Sequence, residues 1–177
     1  LTFLLSRHSA LYQKQVLNRA FSPAHKGEYV EALLERMTVA DVFEPKEVEK
    51  VNAKTPLRDI VQTIAHSRQD YFPVVDDDGR FVGMLSVHDV REFTFDESVY
   101  RLAIAADIMS SPPVVVRPGD DLHKALETFD SIWIDELPVV DAADPDKVLG
   151  QLRRRAINRA YTKKLKELRA MQERQSG

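Results

Sequence analysis

The 177-residue chain contains no cysteine, which excludes disulfides, thiolate metal sites and thiol nucleophiles and suits a reducing compartment. Its six glycines are never grouped into a phosphate-cradling loop. Long hydrophobic runs are also missing, since no stretch approaches the roughly eighteen apolar residues that cross a bilayer. The opening "LTFLL" is followed at once by Ser6, Arg7 and His8. It lacks the basic region and small-residue cleavage pattern of a signal peptide, and reads as the cut end of something longer.

Catalytic constellations are absent too. The five histidines (His8, His25, His66, His88 and His123) are scattered, with no second His or carboxylate at ligand spacing on one helix face. No serine has a G-x-S-x-G context. The acidic run at Asp76, Asp77 and Asp78 falls where a hairpin turn needs Asp and Gly on backbone grounds, so a metal site is not required to explain it. Trp133 reads as core at the start of a strand rather than a base-stacking platform. The chain reads as a non-enzyme.

What the chain does have is apolar content for a core, 44%, and an uneven charge. The net charge is −3, yet residues 151–177 hold nine Lys/Arg against two Asp/Glu, leaving +7 on the tail and −10 on the first 150 residues. A basic amphipathic tail reads as a solvated helix face or as a surface near anionic lipid or a partner. Nucleic acid is not expected, because no aromatics interleave with the arginines.

The chain also repeats itself. "TPLRDIVQTIAHS" (55–67) and "GDDLHKALETFDS" (119–131) place Leu57, Ile60, Val61, Ile64 and Leu122, Ala125, Leu126, Phe129 at i, i+3, i+4, i+7, every position offset by 65. Both predict amphipathic helices, begun by Thr55-Pro56 and by Asp120. The offset of 65 then joins Pro73-Val74-Val75-Asp76 to Pro138-Val139-Val140-Asp141. Each is followed by turn residues and a second apolar run, so two hairpins are predicted. Gly83 and Gly150 match at 67, the second turn being longer, and "ADVF" (40–43) matches "ADIM" (106–109) at 66. Each unit is a short leading helix, strand, helix, hairpin and closing helix. The closing helices lie in "HDVREFTF" and "AINRAYTKKLKELRAM".

A single unit has a sheet covered on one face and buries too little apolar surface alone. The expected architecture is therefore α/β (α+β): two pseudo-twofold β-α-β-β-α units, each with a small three-stranded sheet, after an N-terminal linker helix. A cleft between the halves would gather strand ends and helix N-termini.

With "VADVF"/"AADIM", "FPVVD"/"LPVVD" and "VGMLSVHDV"/"LGQLRRRAI" in order and duplicated over residues 36–165, the chain resembles a tandem pair of CBS domains. The segments are 1–35 as linker, 36–98 and 99–165 as the two motifs, and 166–177 as a basic helix end or tail. "LTFLLSRHSALYQKQVLNRAFSPAH" further resembles the stretch leaving the last membrane helix of ClC-family chloride channels and transporters. The alternative is a helix packing Leu4, Leu5 and Leu11 on the core of some other CBS protein. The channel resemblance implies a regulatory domain at the cytoplasmic face of the membrane. Its partners would be the membrane domain of the same channel and a second copy of the chain, as a homodimer through the CBS domains.

The CBS resemblance also implies a ligand, an adenosyl compound such as AMP, ADP, ATP or S-adenosylmethionine. Gly83, Ser86 and Asp89 fill the family motif in which the hydroxyl meets phosphate and the carboxylate holds the ribose diol. Facing them, the resemblance places Ser110, Ser111 and Val114 and the stretch Ile134 to Leu137. Asp135 and Glu136 would oppose a triphosphate. On the residues alone, Ser86-x-x-Asp89 is equally a capping box needing no ligand. In the second copy the matching positions are Gly150, Arg153 and Ala156. Hydroxyl and carboxylate are both gone, and a site there should be weak or absent.

Overall fold

A computed structural model describes residues 26–132 and 134–176. The expectations placed on "LTFLL", on Leu4, Leu5 and Leu11 and on Trp133 lie outside the described residues. Helix α1 (Lys26–Leu34) leads through a 3-10 turn (Val39–Asp41) to β1 (Val51–Asn52), α2 (Leu57–His66), β2 (Tyr71–Val75) and β3 (Phe81–Ser86). Three short helices follow, α3 (Val87–Phe93), α4 (Glu97–Leu102) and α5 (Ala105–Ile108), and then α6 (Leu122–Ile132), β4 (Glu136–Val140), β5 (Val148–Arg153) and the long α7 (Arg154–Ser176).

The repeat folds as two hairpins in one register. Val74 pairs with Gly83 and Val139 with Gly150, and both ladders shift at the next residue, Val75 and Val140. The first sheet has three strands, with β1 parallel to β2. The second departs from the three strands expected of it: β4 and β5 pair alone, and the third strand is reduced to Val116, which bridges Val139 in parallel. Val116 N donates to Pro138 O at 3.0 Å and its carbonyl accepts from Val140 N at 3.0 Å. Pro112, Pro113 and Pro118 bracket this segment, and residues without an N–H cannot extend a ladder.

Two cores form, one per sheet, and each borrows from the other repeat. Core one joins Leu57, Ile60, Phe72, Val74 and Leu85 to Ala103, Ala105 and Ile108, which open the second repeat. Core two joins Leu122, Phe129, Leu137, Val139, Leu152 and Ile157 to Val39, which opens the first, and to Leu34 just before it. The leading segments are thus exchanged, a point the linear unit order does not reveal. The exchange also caps the central helices. Leu57 N donates to Ala103 O and Leu122 N to Met37 O, both at 2.9 Å. These carbonyls meet end amides expected to rely on Thr55 and Asp120. Asp120 instead accepts from Arg117 N at 2.8 Å, and Asp121 accepts from Lys124 N at 2.7 Å.

Candidate ligand-binding clefts

The exchanged segments run over the glycines. Ser110 pairs with Met84, N to O at 2.8 Å and O to N at 3.0 Å, and the Ser111 hydroxyl donates to Val82 O at 3.0 Å. A Cβ on Gly83 would stand 2.5 Å from Met109 Sδ and 2.9 Å from Ser110 O. In the second repeat, a Cβ on Gly150 would stand 2.9 Å from Phe43 Cε2 and 3.2 Å from Lys46 N, and Gly150 has φ +154°. Phe43 matches Met109 at the offset of 66, so both glycines exist for the same close approach. Gly83→Ala must push the backbone at Ser110 away, and we expect it to destabilise the fold by about 1–3 kcal/mol in urea unfolding. A loss below a few tenths would mean the crossing is loose.

One turn further, β3 gives way to α3 at Ser86. Its hydroxyl oxygen accepts from Asp89 N at 3.1 Å, while Asp89 Oδ2 accepts from Ser86 N at 2.8 Å and from Ser86 Oγ at 2.7 Å. The capping box is fully formed. It also fixes the carboxylate, because both bonds fall on Oδ2 and Oδ1 has no partner among the described residues. Both side chains are half-buried. The cap and a ligand-holding role are compatible in one geometry.

The expected site residues separate into groups. Gly83, Ser110 and Ser111 meet along β3, immediately before Ser86 and Asp89. Val114 is exposed. Ile134 packs against core two and Leu137 is fully buried within it. Leu137 therefore offers no side-chain surface to a ligand. The two repeats touch where Tyr71 O accepts from Gln151 Nε2 at 2.6 Å and where Phe81 N donates to Asp146 at 3.1 Å.

The second repeat carries different chemistry at the matching positions. Arg153 lies opposite Glu136 in the ladder and its Nε donates to Glu136 Oε1 at 2.7 Å. Glu136 is only 6% exposed and its Oε2 has no partner among the described residues. Burial pushes its carboxyl up from the ordinary value, with Asp70 acting in the same direction, while Arg153 and Arg155 oppose the shift. Its charge is thus paired with Arg153, which corrects the expectation that it would confront a triphosphate. An open cavity of about 380 Å³ lies beside this pair, lined by Asp41, Phe43, Gln151, Arg153, Ala156 and Arg159. Arg153 and Ala156 in its wall match Ser86 and Asp89 of the first repeat, and sequence reasoning missed it because Arg153 and Ala156 show only what is lost. The hydroxyl and carboxylate of Ser86 and Asp89 have no equivalents here, since Arg153 and Ala156 stand at the matching positions.

Comparison with known proteins follows the same duplication. The family profile of the CBS domain matches residues 39–96 and 105–163. A methylated protein from Methanocaldococcus jannaschii is 23% identical over 121 residues, 67% of this chain and 68% of the relative. Among solved structures, CBSX2 in complex with AMP is 29% identical, with a TM-score of 0.60 and coverage of 71% of this chain and 96% of that one. CBSX2 from Arabidopsis thaliana, at 27% identity, gives a TM-score of 0.61 over 73% and 96%. The CBS domain pair of protein MJ0100, in complex with 5′-methylthioadenosine and S-adenosylmethionine, shares the fold at 16% identity, with a TM-score of 0.58 over 72% and 98%.

Proposed function

Since this chain belongs to the CBS-domain family, we propose that it is a non-catalytic regulatory module whose cleft at Ser86 and Asp89 binds an adenosyl compound. The observation that carries this reading is the Asp89 carboxylate. Its Oδ2 is held by Ser86 N and Oγ while Oδ1 stays unengaged, a preset acceptor for ribose hydroxyls beside a strand-to-helix junction. The complex of CBSX2 with AMP supports the ligand class. The segment Met109 to Ser111, pressed onto Gly83, is the nearest wall for the base, although both Ser110 backbone groups are already bonded to Met84.

The expected attachment to a chloride-transport membrane domain rests on the stretch before residue 36, most of which lies outside the described residues. Neither the family match nor the relatives above speak for it, so the adenosyl-sensor reading stands in its place. Regulation then requires the ligand to favour one packing of the repeats over another, because equal affinity for both shifts nothing. Titration calorimetry of the full chain with AMP, ADP, ATP and S-adenosylmethionine tests the reading. One adenosyl site per chain is expected, and an absence of heat with all four would overturn it.

A further inference from the structure

Beyond Tyr161 no described residue of α7 belongs to either core, yet the helix runs on to Ser176. Its solvent face is cationic. Arg155, Arg159, Lys163 and Lys166 stand at i, i+4, i+8 and i+11 and flank a shallow groove with Asn158 and Thr162. All four are exposed. Among the described residues, the ion pairs on this part of the chain fall on other cations: Arg153 with Glu136, Arg154 with Asp130, and Lys164 with Glu167. Like charges at i, i+4 repel, and arginines in a first turn with no acidic residue oppose the helix dipole. The stripe is therefore electrostatically unfavourable in the isolated molecule, and an external anionic surface would relieve it.

We propose that this face of α7 docks on the headgroups of an anionic bilayer, peripherally and without insertion. The four cations span about 17 Å along the axis, at the 1.5 Å rise of a helix, within a sector of roughly 80°, which suits a flat charged plane. Inserting residues are wanting on that face, because Ile157 and Tyr161 are turned to core two and the exposed Met171 lies roughly a third of a turn from the stripe. A nucleic acid fits less well. Tyr161, the one aromatic on α7, packs on the core and is no stacking platform. The proposal is independent of the adenosyl site.

Vesicle co-sedimentation of the full chain tests it, with phosphatidylcholine alone against phosphatidylcholine containing phosphatidylglycerol. Binding only to the anionic vesicles is expected, falling steeply between low and physiological salt. A cation near such a surface contributes roughly a fivefold change in partition, so R159E/K163E/K166E should lower binding by about a hundredfold or more. K46E/K50E/R68E shifts net charge equally at exposed positions elsewhere and should bind nearly as the parent does. Urea unfolding of both triple variants, with the parent alongside, shows that they are folded. Equal loss in the two variants, unchanged binding in the α7 variant, or tighter binding to an oligonucleotide than to anionic vesicles at equal salt would each overturn the proposal.

Discussion

Asp89→Asn is expected to weaken AMP binding by about 10- to 100-fold while leaving the fold nearly as stable as before. The size follows from exchanging a charged acceptor for a neutral one, since a hydrogen bond to a charged group contributes about 1.5–3 kcal/mol. The stability follows from the cap, because an Asn oxygen can still accept from Ser86 N, where Asp89 Oδ2 now sits at 2.8 Å. Asp89→Ala should lose both, adding a cost of about 1 kcal/mol for the missing box. Calorimetry for affinity and urea melts for stability separate the two uses of one carboxylate. If Asp89→Asn binds AMP within twofold of the parent, the carboxylate is a cap alone and the nucleotide reading of this cleft fails.

How far the sequence reaches is clearest at the paired positions. The 65-residue offset placed both central helices and both hairpins, because amphipathic periodicity and β-branched runs are local signals that tertiary contacts here reinforce. Val74 with Gly83 and Val139 with Gly150 are register partners, as the matched spacing implies. The exchange of leading segments was not legible, since "ADVF" and "ADIM" carry the same local pattern whichever core they cover. Nor was the loss of the second sheet's third strand, which depends on how many ladder bonds Pro112, Pro113 and Pro118 leave to Val116. At the candidate site, Ser86 and Asp89 were legible as a motif. Leu137 was not legible as core, because a buried strand residue and a pocket wall look alike in one dimension. The pairing of Glu136 with Arg153 needs the β4–β5 register, which sets residues 17 apart face to face.

That pair carries the largest expected change in stability. Arg153→Ala leaves the Glu136 carboxylate buried with neither oxygen paired, and a broken buried pair costs about 3–5 kcal/mol. Because the Arg153 side chain is 39% exposed, water screens part of the attraction and the lower end, about 3 kcal/mol, is expected. Replacing both residues by leucine should recover most of the loss, since a hydrophobic pair removes the desolvation that Glu136 now bears. The pH dependence has a definite sign. The Glu136 carboxyl is raised from its ordinary value of 4.5, so the folded chain holds this proton more tightly than the unfolded one. Its contribution is complete below pH 4.5 and is lost as pH rises through the raised folded value. Glu136→Gln, which cannot titrate, should therefore gain stability over the parent as pH rises through that range. Arg153→Ala removes an opposing cation, so it should carry the same loss to still higher pH. Urea unfolding from pH 4 to pH 8 of the parent and these variants reads both effects together. A parent curve parallel to that of Glu136→Gln would mean that Glu136 has the same affinity for its proton folded and unfolded, and that its burial is not felt.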